Sequence, residues 1–244
     1  MGGGGGASEV EIKAALWSLK PFKASRPDGL HASFFQKFWH TVGNFVIEEV
    51  QKIFAVRRVL EVLNCTHIAL IAKIQGLETL GNYRLISLCN TVYKVITKII
   101  VARLRPYLDK LISPMQTAFV SGWKGIDNII IAQEIIHGLG KKKGRIGYMA
   151  LKIDLEKAYD KLEWSFIRDM LIRVNLPLDI IDLIMSCLST MSTSILFNGE
   201  TLDLIFPSRG IRQGDLISLY LFILVWTILG SLLKRNVVGI FGIQ

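Results

Sequence analysis

Residues 216–233, LISLYLFILVWTILGSLL, run for eighteen positions without a charged side chain. Such a stretch has two stable destinations. It is long enough to cross a bilayer as a helix, or it forms a helix buried on nearly every side in a large core. It continues directly from a charged, glycine-containing turn, RGIRQGD at 209–215, and no other stretch supports a membrane protein. A buried helix is therefore the expectation, and the rest of the chain must supply its enclosure. With 244 residues, 51% hydrophobic and 20% charged, there is material for one large domain or two small ones. The same balance excludes global disorder.

Ser8, Glu9, Val10 and Glu11 predict a capping box that opens a helix ending before Pro21. A basic turn, KASRPDG, occupies 23–29. Helical spacing then runs through 30–56 by way of Phe34, Phe35, Phe38, Trp39, Val42, Phe45, Val46, Val50 and Ile53. A strand is expected at 66–73, then a loop and the segment Tyr83-Arg84-Leu85-Ile86-Ser87-Leu88, and an amphipathic helix at 90–110. A further helix covers 126–139, and a strand covers 147–155. Short helices follow near 164–175 and 179–190. Asn198-Gly199 marks a hairpin between 192–198 and 201–206. Helices dominate the first half, then strand, helices, hairpin and helix follow. This is an α+β order, not alternating βαβ units.

The formal charge of +9 favours an acidic partner, nucleic acid foremost, although an ordinary basic protein has the same balance. Cys65, Cys89 and Cys187 are far apart and lack a CxxC or histidine companion. A disulfide framework or zinc site is not expected, and a reducing, intracellular setting fits. Residues 1–7, mostly glycine, read as a disordered lead-in, not a signal peptide.

Several side chains could carry chemistry. Asp154 ends the apolar strand of YMALKIDLEKAYD, so its carboxylate projects from a rigid edge and suits a divalent cation. The carbonyl of Leu155 could add a ligand, while the plainer role of such an Asp is a cap. Tyr159 could pack under a nucleotide sugar and exclude a 2′-hydroxyl, or be a half-buried core aromatic. Arg209, Arg212 and Gln213 surround Gly210 and Gly214, where glycine permits close backbone approach to a base pair or phosphates. Lys73 and Arg84 are candidate triphosphate contacts. Lys94 and Lys98 on the 90–110 helix, and Lys141, Lys142, Lys143 and Arg145 in a basic loop, could follow a phosphate backbone or be solvated faces.

The succession KASRPDG, LIAK, YRLISL, SPMQTAFV, IDLEKAYD, NGE, RGIRQGD and LYLF resembles the reverse transcriptase domain of non-LTR (LINE-type) retrotransposons, especially those of plants. The resemblance covers roughly residues 10–235. It implies right-hand polymerase architecture, with a fingers region at 8–140 and a partial palm at 141–244. It also implies RNA-templated DNA synthesis from a DNA primer with deoxynucleoside triphosphates and Mg2+, and allows a nuclear site. By that resemblance Asp154 matches the first catalytic aspartate and metal ligand, and Tyr159 the sugar gate. Gln213 and Gly214 match the motif at the incoming nucleotide and template base. Arg84 and Lys73 match fingers contacts to the triphosphate.

The sequence departs from that pattern in places. After RQGD the family has an aromatic-Ala-Asp-Asp hairpin, and these 244 residues contain no Asp-Asp pair. One carboxylate does not hold two magnesium ions, so the chain alone is expected to be inactive and its antiparallel palm sheet incomplete, with an aggregation-prone edge. Family prolines are replaced at Ser25, Ala72, Leu85, Leu216 and Leu219, in the manner of a decaying copied element. The alternative expectation is a non-catalytic, basic nucleic-acid-binding protein.

Overall fold

A computed structural model describes residues 5–22, 27–73, 75, 79–111, 125–141 and 156–233. The first helix, α1 (Glu9–Trp17), begins with the expected capping box. The Ser8 hydroxyl accepts from the Glu11 amide at 3.3 Å, and the Glu11 carboxylate accepts from the Ser8 amide at 2.9 Å. Two of the four orphan amides at the helix start are thereby satisfied.

The helical spacing over 30–56 does not produce one helix. It divides into α2 (Ala32–Lys37) and α3 (Trp39–Val56), because Phe38 leaves helical geometry at φ −101° and ψ 23°. The break accompanies docking onto α1. The Gln36 amide donates to the carbonyls of Leu16 and Leu19, and the Trp39 ring meets Trp17 edge-on at 5.3 Å. Apolar spacing reports a buried face and is blind to such a corner.

Strand β1 (Cys65–Ala72) leads through a short 3-10 turn at Leu80–Asn82 to β2 (Tyr83–Cys89). They pair antiparallel, with Ile71 opposite Arg84 and Ala69 opposite Ile86. The helix α4 (Thr91–Leu111) follows, and α5 (Gly125–Lys141) is the next described helix. After α6 (Ala158–Lys161), α7 (Trp164–Arg173) and α8 (Leu178–Ser189), the chain forms β3 (Ser192–Phe197) and β4 (Glu200–Thr201). Asn198 and Gly199, with φ of 51° and 88°, make the turn that their dipeptide predicts. The return strand is shorter than the expected 201–206, with a single further bridge between Thr193 and Ile205.

Among the described residues, four strands form one sheet in the order β2-β1-β3-β4. Its β1–β3 pair is parallel, from Cys65 opposite Ser192 to Ile68 opposite Ile195. The described sheet is therefore mixed, where an antiparallel palm sheet was expected, and it draws strands from both halves of the chain. The expected strand at 147–155 lies outside the described residues.

The uncharged run is α9 (Leu216–Leu233), and it packs against α4 and α7. Leu221, Ile223 and Leu224 are buried, as are Val95, Ile96, Ile99 and Leu104 of α4. Each such side chain contributes about 1.5–3 kcal/mol by leaving water. Enclosure on several sides explains the absence of a polar face. Among the described residues, no helix is long and apolar enough to cross a membrane.

Candidate functional site

The segment Arg209–Gly214 crosses the molecule between the α6–α7 corner and β2. The Gly210 amide donates to the Leu162 carbonyl at 2.7 Å, and the Ile211 amide donates to the Tyr159 carbonyl at 2.8 Å. The Trp164 indole donates to the Gly210 carbonyl at 2.8 Å. At the other end, the Ser87 amide of β2 donates to the Gln213 carbonyl at 2.7 Å. These bonds tie a glycine-rich segment to rigid elements on both sides.

Both glycines are required by this threading. Gly210 has φ +84°, and a Cβ there would lie 3.0 Å from the Asp160 carbonyl oxygen. Gly214 has φ +96°, and its Cβ would meet the Ile86 side chain and the Ser87 carbonyl, each at 3.3 Å. Only glycine adopts such φ values at no steric cost.

The segment walls an open cleft of about 540 Å³, lined by Tyr159, Gln213, Gly214, Asp215, Leu216 and Leu219. Three expected nucleotide contacts, Tyr159, Gln213 and Gly214, thus converge although they span 55 positions of sequence. Tyr159 stacks on Phe222 of α9, with ring centroids 4.7 Å apart and planes 28° apart. Burial raises its phenol pKa, so the hydroxyl stays protonated.

Arg84 is exposed on β2. It shares a strand face with Ile86, two residues on, and Ile86 abuts Gly214. The Arg84 backbone is therefore roughly 7 Å along the strand from Ile86, the residue that meets Gly214. Lys73 extends the β1–β2 ladder by one bond, from its amide to the Asn82 carbonyl, and its ammonium donates to the Gly81 carbonyl at 2.9 Å.

Arg212 differs from its expected place at nucleic acid. It is 6% exposed, and its guanidinium is committed inside the protein. It donates to the Asn64 carbonyl, the Asn64 side-chain oxygen and the Thr66 hydroxyl. It also lies 4.4 Å from the Tyr93 ring centroid and 3.6 Å from the Asp215 carboxylate. The Tyr93 hydroxyl donates to the same carboxylate at 2.7 Å. Burial holds the Tyr93 phenol well above its ordinary pKa, which keeps that donor in place. The sequence signal for Arg212 was a basic residue beside glycines, and that signal carries no information about burial.

Other basic candidates also have internal partners. The Lys98 ammonium donates to the Ser18 carbonyl at 3.1 Å and to its hydroxyl, closing the end of α1. Arg209 pairs with Glu163 at 3.3 Å on the surface. Lys94 is half-buried on α4, and Lys141 is exposed at the end of α5. Asp154, Leu155, Lys142, Lys143 and Arg145 lie outside the described residues.

Sequence reasoning missed Phe222, which supports Tyr159, and the Tyr93, Asn64 and Thr66 cage around Arg212. The 219-222-226 spacing on α9 was a usable clue to the first, since it puts Leu219, Phe222 and Trp226 along one helical stripe. The cage had no local signature.

Among the described residues, no three His, Cys, Asp or Glu side chains are grouped to hold a metal ion. The described residues therefore do not by themselves fit a two-magnesium centre.

Over 232 residues, 94% of the chain, it is 26% identical to the transposon TX1 uncharacterized 149 kDa protein of Xenopus laevis. Over 144 residues, 59% of the chain, it is 28% identical to the retrovirus-related Pol polyprotein from type-2 retrotransposable element R2DM of Drosophila melanogaster. These alignments span 17% and 13% of the respective relatives, so the chain corresponds to a small part of each. Residues 71–242 match the reverse transcriptase (RNA-dependent DNA polymerase) family over more than half of the chain, and the chain belongs to that family.

Proposed function

We propose that this domain holds the deoxynucleoside triphosphate and the RNA template base for DNA synthesis in a non-LTR retrotransposon reverse transcriptase of the plant LINE type. The observation that carries the reading is the convergence of Tyr159, Gln213 and Gly214 on one cleft, with Arg84 on the adjoining strand face. The apolar wall of Leu216 and Leu219 and the ring of Tyr159 accept a sugar and base. Gln213 supplies both a donor and an acceptor. Arg84 supplies a planar cation for the triphosphate. Tyr159 contacts the sugar and disfavours a 2′-hydroxyl. In this reading residues 8–140 act as fingers and 141–244 as part of a palm, with the shared β1–β3 pair joining them.

The family is generally dependent on divalent metal, and Asp154 is the residue this reading assigns to Mg2+. These 244 residues contain no second carboxylate motif, so the chain alone is not expected to sustain primer extension. The commitment of Lys98, Arg209 and Arg212 to protein partners disfavours the alternative of a simple basic binder.

Calorimetric titration with Mg2+ and a deoxynucleoside triphosphate tests the reading. Binding is expected, and Arg84→Ala should weaken it about ten- to hundredfold, the range for one charge-assisted hydrogen-bond partner. Absent binding, or binding indifferent to Arg84→Ala and to Tyr159→Ala, would overturn the reading. Robust primer extension by the unaltered 244-residue chain would refute the expected inactivity alone.

A further inference from the structure

We propose that Phe222, on α9 and assigned no nucleotide contact by the family resemblance, is the positioning residue that sets sugar selectivity in the cleft. The inference rests on the proposed role of Tyr159 as the group facing the nucleotide sugar. A steric gate discriminates only if its ring cannot swing aside. Tyr159 is the second residue of α6, a four-residue helix whose N-terminal neighbour Lys157 has φ +52°. A short helix alone leaves the ring free to turn about its side-chain bonds. What fixes it is Phe222, stacked beneath it at 4.7 Å and 28°.

Phe222 is itself held. It is 5% exposed, and its other neighbour along the stripe is Trp226, at 6.3 Å and 23°. The three rings form a column running from the cleft into the core. Trp226 is buried on α9, a helix packed against α4 and α7. The gate therefore takes its rigidity from the uncharged helix and not from the four-residue helix that carries Tyr159. The same helix supplies Leu216 and Leu219 to the cleft wall, so one element sets both the width of the pocket and the pose of the gate.

A role limited to stability would weaken binding of every nucleotide alike. A positioning role changes the ratio between deoxyribose and ribose ligands. The test uses the 244-residue chain, titrated with dATP and with ATP in the presence of Mg2+, alongside Phe222→Leu and Phe222→Tyr. Phe222→Leu should reduce the dATP-to-ATP preference about three- to tenfold, the equivalent of one lost aromatic pair. Phe222→Tyr, which keeps the stacked ring, should restore it. Phe222→Met serves in place of Phe222→Leu if thermal melting shows the latter unfolded at the assay temperature.

A second measurement needs no nucleotide. Fluorine NMR of fluorotyrosine-labelled chain, assigned with Tyr159→Phe, should show the Tyr159 resonance shifting or broadening in Phe222→Leu and remaining near its position in Phe222→Tyr. An unchanged resonance in Phe222→Leu would overturn the proposal. So would an unchanged ratio in Phe222→Leu where Tyr159→Ala abolishes the preference. If the unaltered chain binds neither nucleotide, the functional reading fails, and this inference fails with it.

Discussion

Replacing Arg212 by methionine isolates the largest buried electrostatic arrangement in the described residues. Arg212 is 6% exposed and Asp215 4% exposed, so water screens neither group. The substitution removes the donors to Asn64 and Thr66 and the cation over the Tyr93 ring. It also strands the Asp215 carboxylate with Tyr93 as its donor. One Asp215 oxygen already has no hydrogen-bond partner, so the carboxylate has little to fall back on. Breaking a buried pair by removing one partner costs about 3–5 kcal/mol, mostly the cost of the remaining charge. For a chain of this size each kcal/mol moves the melting temperature by about 2–4 °C, so a fall of about 6–20 °C is expected. Denaturant unfolding of Arg212→Met, Asp215→Asn and the double variant completes the cycle. The double variant should be more stable than the sum of the singles predicts, by about 1–3 kcal/mol, because neither charge is then stranded. Strict additivity, or a cost below about 1 kcal/mol for Arg212→Met, would refute the claim that this pair is an internal brace.

Two further outcomes follow from local geometry. Hydrogen bonds from Arg103, and then from Ser8, hold Glu11 down to a pKa of about 2, against an ordinary value of 4.5, so its contribution is complete above pH 4.5 and is lost as pH falls from there towards 2. Both side chains are partly exposed, so the contribution is about 1 kcal/mol after screening, and Glu11→Gln should flatten that part of a stability profile measured by denaturant titration. Gly210→Ala should destabilise more than Gly199→Ala in parallel thermal melts. Both have positive φ, but the added carbon at 199 meets open space while that at 210 meets the Asp160 carbonyl oxygen at 3.0 Å. Equal costs would show that φ strain alone governs these positions.

The elements that could be read in advance share a property: their cause lies within a few residues. The Ser8 and Glu11 capping box is a contact three positions apart. The Asn198-Gly199 turn needs two adjacent residues tolerant of positive φ. The apolar stripe of α4 is a 3.6-residue rhythm. The lack of charge in α9 announced burial before any partner was known. Motif order was likewise legible, and it brought Tyr159, Gln213 and Gly214 onto one list before the cleft placed them on one wall.

What the tertiary structure decided lies at long range. The hydrogen bonds of Arg212 to Asn64 and Thr66 join residues 148 and 146 positions apart. Nothing near Arg212 distinguishes an arginine that reaches for phosphate from one that braces a core. The same holds for Lys98, whose partner on α1 lies 80 positions upstream, and for the parallel β1–β3 pair. The break at Phe38 belongs with these, since it depends on docking against α1 and not on the local apolar spacing. Backbone preference and side-chain period act between neighbours along the chain, and they write themselves into the sequence. Burial of a charge, choice of strand partner and stacking of Phe222 under Tyr159 depend on which distant surfaces meet, and that is settled only when the whole chain packs.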